Sequence, residues 1–286
     1  MKLLTCILLI VGCTMQATAQ DVDENISFEI KSSEFSKNHK IIVKNINGEL
    51  NVTGYSGDEI RVKARRQVWK ERGRLSQNEA DEVQLTYMIE DGFVFVYVDA
   101  PGVNIDFDEG RIGYNMNWDD DNYPRFNFDI DVQIPEAYHI EVATVNGGDV
   151  FVQKMNNQIK ASNINGDVKV KDAKTTTDAR TVNGDIEVWF DENPIADMDF
   201  SSVNGTIEIY SPKDFGAVVT FESLHGELYT DFKDVQRLPH HLNRATQKQG
   251  NRYKISTSSP IQIGDGGPSM SFKLVNGSVY IRERKS

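Results

Sequence analysis

Beyond its first twenty residues the chain has no cysteine; its two, Cys6 and Cys13, both lie in the leader. A mature chain cut after Ala19 therefore has no disulfide framework, no thiolate metal site and no thiol nucleophile, and its stability must come from stacking and burial. Histidine is scarce as well. The five present (His39, His139, His225, His240 and His241) show neither HExxH nor HxH spacing, which removes the usual zinc signatures. No G-x-S-x-G elbow, P-loop or dinucleotide fingerprint occurs. Gly264-Asp265-Gly266-Gly267 suggests a phosphate cradle, but no helix follows it to supply a dipole. Positive charge is the minority sign: 31 Lys and Arg stand against 43 Asp and Glu, a formal charge of −12. Such a surface repels nucleic-acid phosphates and anionic lipid heads, so no nucleic-acid partner is expected.

Long apolar runs are missing too, and no transmembrane span is expected. The run from Leu3 to Gly12 is ten residues, too few to cross a bilayer as a stable helix. With Lys2 before it and Ala17-Thr18-Ala19 after it, residues 1–19 read as an export signal cleaved after Ala19. A second reading is a lipoprotein box at Ile10-Val11-Gly12-Cys13, with a lipid anchor on Cys13. Either places the chain outside the cytoplasm: in the periplasm, on the outer membrane surface or beyond the cell. The remainder, 39% apolar and 26% charged, has the balance of a soluble globular protein.

What is present is a phrase that returns four times: Val145-Asn146-Gly147-Gly148-Asp149-Val150, Ile164-Asn165-Gly166-Asp167-Val168, Val182-Asn183-Gly184-Asp185-Ile186 and Val203-Asn204-Gly205-Thr206-Ile207. An early copy stands at Asn47-Gly48 and a late one at Asn276-Gly277, and Leu224-His225-Gly226 keeps the pattern with His in the Asn place. A unit of 18–21 residues cannot enclose a core, so copies must stack on one another. The expected fold is all-β, a parallel β-helix or β-solenoid of stacked coils, with a strand-rich N-terminal portion and one short helix. Asn-Gly pairs tolerate positive φ and suit a corner that recurs up the stack, where aligned Asn side chains could bond as a ladder. Period-two alternation through Thr181–Phe190 puts Val182, Gly184, Ile186, Val188 and Phe190 inside.

Residues 26–100 form the strand-rich portion, with Ile26-Phe28-Ile30 alternating and Asp91-Gly92 marking a hairpin. Ser76-Gln77-Asn78-Glu79 has capping-box spacing and predicts a short helix over Glu79–Val83. Residues 104–125 read as a long acidic, aromatic loop, and residues 126–283 as the repeats, interrupted at 233–253 by a basic insertion.

The copies of V-N-G-D-I, the Asp131-Val132-Gln133-Ile134-Pro135 strand before them and the closing Gly266-Gly267 to Val275-Asn276-Gly277-Ser278-Val279 resemble a bacterial family. It is the domain-of-unknown-function family of β-strand-repeat "putative adhesins", related to the auto-transporter adhesin head type and common in exported proteins of the Bacteroidetes. The resemblance covers residues 40 to 283. It implies a parallel β-helix-like stack at the cell envelope and brings no catalytic motif with it.

Two candidate sites lie in the acidic loop. Tyr114, Trp118 and Tyr123 could offer rings to a sugar, apolar in body and polar at the edge, or cap one end of the stack. Asp119, Asp120 and Asp121, with Asp106 and Asp108, could hold calcium, although their spacing matches no EF-hand loop. Asp149, Asp167 and Asp185 line up on successive coils as a negative stripe, to be relieved by cations or by Lys169, Lys171 and Lys174. The expected function is a non-enzymatic exported binding or scaffold protein whose partner is a surface glycan or an envelope protein. The alternatives are a carbohydrate-active β-helix enzyme that assembles acids from neighbouring coils and an envelope signalling component.

Overall fold

The computed structural model describes residues 21–108, 111–116, 122–174, 177–239 and 259–284. The expected leader with Cys13, together with Trp118 and Asp119–Asp121, lies outside these residues, as do positions 240–253 of the basic segment.

The N-terminal portion contains β1 (Val22–Ile30), β2 (Lys40–Lys44), β3 (Leu50–Tyr55), β4 (Ile60–Trp69) and helix α1 (Gln77–Asp81). It continues with β5 (Gln84–Glu90), β6 (Phe93–Asp99), β7 (Val103–Asp108), β8 (Arg111–Met116) and β9 (Arg125–Pro135). The repeats give short strands in pairs: β10 (Ile140–Ala143) and β11 (Val150–Gln153), β12 (Ile159–Ser162) and β13 (Val168–Ala173), β14 (Thr177–Asn183) and β15 (Ile186–Phe190), β16 (Met198–Asn204) and β17 (Ile207–Ser211). Then follow β18 (Ala217–His225), β19 (Leu228–Thr230), β20 (Val235–Arg237), β21 (Ile261–Ile263), β22 (Ser269–Asn276) and β23 (Val279–Glu283).

These strands form two large sheets and one small one. The first sheet runs β1-β4-β9-β3-β11-β13-β15-β17-β23-β19, and the second β20-β21-β18-β22-β16-β14-β12-β10-β2-β6-β5. In each repeat one strand joins the second sheet, the chain turns at Asn-Gly, and the next strand joins the first sheet; we call this unit a rung. Rungs pair in parallel with like residues opposite, as in Val150↔Val168 and Ile186↔Ile207. Their inward side chains, among them Val142, Val150, Ile159, Val168, Ile186 and Ile207, form one continuous buried core between the sheets.

The all-parallel arrangement expected from the repeats holds only in the middle. At one end β1, β4 and β9 pair antiparallel, as do β5 and β6; at the other, β18, β21 and β20 do the same. A two-residue turn accounts for β5 and β6, whereas the other antiparallel neighbours are brought together from well-separated parts of the chain. Nor is the Asn276-Gly277 rung last in space, because β22 and β23 sit between β16–β17 and β18–β19.

Local sequence explains several elements. Asp91 (φ 50°) and Gly92 (φ 86°) make the two-residue turn between β5 and β6. The Ser76 hydroxyl accepts from the Glu79 N–H at 3.3 Å and the Glu79 carboxylate accepts from the Ser76 N–H at 2.9 Å, so the capping box forms, two residues earlier than the predicted helix. The expected 104–125 loop is partly a hairpin: β7 and β8 pair antiparallel over the outer face of the second sheet. There Phe107 meets Phe95 and Tyr97 edge-on, at 5.5 and 5.2 Å.

The expected interior position of Val182 is wrong: it is 37% exposed, whereas Ile186, Val188 and Phe190 are fully buried. The alternation resets at the Asn-Gly corner because Thr181 is the inward residue, its hydroxyl donating to the Gly166 carbonyl one rung away at 2.9 Å. Thr144, Asn163 and Ser202 do the same for Gly48, Gly148 and Gly184, and Asn45 donates to the Phe128 carbonyl of the neighbouring strand. A buried carbonyl without such a donor would be costly, so the row is polar although it lies in the core.

Candidate functional site

The Asn ladder ends in a cleft. Asn165 donates to Asn146 at 2.7 Å, Asn183 to Asn165 at 2.9 Å, Asn204 to Asn183 at 2.8 Å and Asn276 to Asn204 at 2.8 Å, each amide to the next oxygen. At the first rung no earlier Asn exists, and Asn47 Nδ2 turns to the Phe126 carbonyl at 3.2 Å. Beside it the end of β4 meets the start of β9, with Trp69 opposite Arg125 and Gln67 opposite Asn127. Asn47, Trp69, Glu71, Arg125, Phe126 and Asn127 line an open cleft of about 450 Å³. Phe126 is turned to the core, so alternation aims Arg125 and Asn127 outward. Arg125 Nε lies 3.4 Å from Glu71 Oε1, the one carboxylate lining the cleft, and Asn127 Nδ2 donates to Asp129 at 3.0 Å.

This set combines an indole, two amides, and a guanidinium facing a carboxylate. An indole offers an apolar body to a ring carrying C–H groups, and the amides and charged pair offer donors and acceptors to hydroxyls. The volume suits a small ligand or one unit of a larger one. Sequence reasoning passed over all of these residues except Asn47, which it assigned to the repeat. The available signal was Trp69, one of three Trp, closing an alternating strand next to Glu71.

Of the predicted loop residues, Tyr114 and Tyr123 fall among the described ones, and each has its own partners. The Tyr114 hydroxyl accepts from the Val98 N–H and donates to the Lys44 carbonyl, both at 3.2 Å, and burial pushes its pKa well above the usual range. It anchors the β7–β8 hairpin to a face of the second sheet. Tyr123 lies against Gly102, where a Cβ would stand 2.7 Å from the ring. At one end of the sheets, Phe28 of β1 and Tyr87 of β5 stack at 5.7 Å across the two edge strands. Among the described residues no three His, Cys, Asp or Glu side chains cluster as metal ligands.

The acidic row is occupied by the fold itself. Asp149 accepts from the Asp167 N–H at 2.9 Å, Asp167 from the Asp185 N–H at 2.9 Å and Asp185 from the Thr206 N–H at 2.6 Å. Lys169 lies 3.2 Å from Asp167, 3.8 Å from Asp149 and 3.9 Å from Glu187, and supplies the relief expected of it. Lys171 instead sits 5.0 Å over Trp189, whose other face stacks on Tyr210 at 5.0 Å and 4°. Tyr229 and Tyr280 stack likewise at 5.0 Å. Each pair stacks across neighbouring rungs and so packs one rung on the next, while Tyr229, on the edge strand, stays 46% exposed. Burial, with help from the hydrogen-bonded Glu208, pushes Tyr210 up to about 12.

No family model matches the chain, and no curated protein matches it. Solved structures do. The "putative cell adhesion protein" of Clostridium sporogenes is 13% identical, with a TM-score of 0.48 over 92% of this chain and 100% of its own. The "putative adhesin" of Bacteroides fragilis is 11% identical, with a TM-score of 0.38 over 90% and 97%. The "putative lipid binding protein" of Parabacteroides distasonis is 13% identical, with a TM-score of 0.31 over 91% and 97%. Among the described residues no helix is long and apolar enough to cross a membrane.

Proposed function

We propose that the chain is an exported, non-enzymatic binding protein in which a β-solenoid acts as a rigid support and the cleft beside Trp69 holds a saccharide unit of a surface glycan. The observation that carries this reading is the cleft's composition: Trp69, the Asn47 and Asn127 amides, and Arg125 facing Glu71. Hydrolysis of a glycosidic bond needs two carboxylates flanking the bond. The lining of the cleft includes one, and it faces a guanidinium. Asp149, Asp167 and Asp185, the acids that neighbouring rungs bring into line, accept backbone N–H groups. Export rests on the leader pattern of residues 1–19.

The test is a glycan array on the mature protein, the Trp69→Ala and Arg125→Ala variants, and Tyr114→Phe as a control. The expected result is binding to a defined glycan class that falls ~10-fold in Trp69→Ala, as loss of a ring contact worth about 1.4 kcal/mol implies. Tyr114→Phe should change thermal stability and leave binding alone. Binding that survives Trp69→Ala in a folded protein would move the site elsewhere.

A further inference from the structure

Six Asn-Gly pairs stand in the corners, and Asn-Gly is the dipeptide most prone to deamidation, because glycine leaves the following backbone nitrogen sterically free to attack the side chain. Five of the six glycine N–H groups are tied up between rungs. Gly48 donates to the Asn146 carbonyl at 2.8 Å, Gly166 to Asn183 at 2.9 Å, Gly184 to Asn204 at 3.0 Å, Gly205 to Asn276 at 3.2 Å and Gly277 to His225 at 2.9 Å. The sixth differs. Gly147 has no acceptor for its N–H among the described residues.

The cause is an insertion. Where other rungs read Asn-Gly-Asp or Asn-Gly-Thr, this one reads Asn146-Gly147-Gly148-Asp149. Gly148 takes the place that Gly166 and Gly184 hold elsewhere, since its carbonyl accepts from the inward Asn163 as theirs do from Thr181 and Ser202. The extra residue, Gly147, is left in a left-handed conformation (φ 76°), displaced from the inter-rung bonding line. Around an added Cβ the nearest atom would be 3.5 Å away, so the site is roomy as well as unbonded.

We propose that Asn146 is the modification site of this protein, a position where the folded chain deamidates while its other Asn-Gly pairs are protected. Gly147 N loses its proton and attacks Asn146 Cγ. The N–Cγ bond forms, the Cγ–Nδ2 bond breaks, and the amide leaves as ammonia with the proton, giving a cyclic succinimide. Water then opens the ring at either carbonyl, yielding aspartate or isoaspartate; the net change is one water consumed and one ammonia released. The aspartate product still accepts from Asn165, at the 2.7 Å link. It loses only the donation to Asn47, at 3.4 Å the longest in the ladder. Isoaspartate inserts a methylene into a backbone that donates to Ile46 and accepts from Gly48, both at 2.8 Å, and so loosens the junction between the first two repeat rungs. The modification sits one ladder step from Asn47 and thus from the cleft.

The experiment is prolonged incubation of the folded protein in mildly alkaline buffer, with peptide mapping by mass spectrometry and isoaspartate detection, alongside the same incubation in concentrated urea. Loss of one inter-rung hydrogen bond corresponds to a rate ratio of roughly fivefold or more, so Asn146 should convert at least that much faster than Asn183 when folded. In urea the six pairs should convert at similar rates. Equal rates at Asn146 and Asn183 in the folded protein would overturn the proposal, as would an Asn146 preference that persists in urea. Amide hydrogen exchange gives a second reading on the unmodified chain: Gly147 should exchange before Gly166 and Gly184, and the reverse order would count against the proposal. In a Gly148 deletion that remains folded, Asn146 should slow to the rate of the others; an unchanged rate would remove the insertion as the cause.

Discussion

Glycine in these corners is a clearance requirement. At Gly184 a Cβ would stand 2.1 Å from the Gly166 carbonyl oxygen, one rung below, and no rotation of a side chain can relieve a backbone clash. Gly184→Ala should therefore destabilise by more than about 3 kcal/mol in urea denaturation, the range of overpacking that moves backbone. Asn183→Ala removes two exposed side-chain bonds, to Asn165 and from Asn204, and should cost only about 1–2 kcal/mol. The two sides of the corner make a sharper pair. Ile186→Asp buries an unpaired carboxylate and should cost more than about 4 kcal/mol, whereas Val182→Asp should cost under about 1 kcal/mol. Equal losses from these last two substitutions, measured in the same denaturation series, would refute the inside–outside assignment.

Among the elements, β10 carries the clearest electrostatic device. Glu141 stands between Lys40 at 2.5 Å and Lys44 at 2.8 Å. Burial alone would raise its pKa, but the two ammonium groups outweigh burial and hold it at about 2 against the ordinary 4.5. The folded value is depressed, so the stabilisation is complete above about pH 4.5 and is lost as pH falls toward 2. Glu141→Gln should thus lower stability near neutrality by on the order of 2 kcal/mol, after allowance for solvent screening. The gap from wild type should narrow as denaturation is repeated at successively lower pH, and a gap that stays constant would show that the charge is not responsible. Helix α1 was readable from its capping box, yet the residue that seats it was not. Arg66 reaches from β4 to the Ala80 and Val83 carbonyls and to Glu24. Its partners are 14, 17 and 42 residues away, beyond any local pattern.

Over the whole molecule the order of rungs departs from the order of the chain. A simple repeat array loses its last unit at little cost to the rest, because each unit touches only its neighbours. Here β22 and β23 are inserted between β16–β17 and β18–β19, so truncation after Ile263 takes out an interior rung. That truncation should lower stability by more than about 5 kcal/mol, a large part of what a domain has. It should also abolish hydrogen-exchange protection across 217–230; retained protection there would show that β18 and β19 stand without the inserted rung. The ends close differently from the middle for a related reason. Rungs in the middle find identical partners above and below, while β1, β5, β19 and β20 are sheet edges whose open backbone must be kept short, charged or covered.

The sequence by itself determined the all-β class, the rung period, the Asn-Gly corner, the two-residue turn at Asp91-Gly92 and the capped helix, because each depends on residues within one rung or one turn of chain. It also implied the Asn ladder, since identical residues at an equal period must lie side by side once rungs stack. Only the tertiary structure decided that Thr181 points in and Val182 out, because the carbonyl that Thr181 satisfies belongs to Gly166 of another rung. Only the tertiary structure, again, brought Trp69 and Glu71 to Arg125 and Asn127 and placed the late rung between earlier ones. Those outcomes depend on which distant backbone group meets which. Such pairings are set by how rungs settle against each other, and no spacing along the chain encodes them.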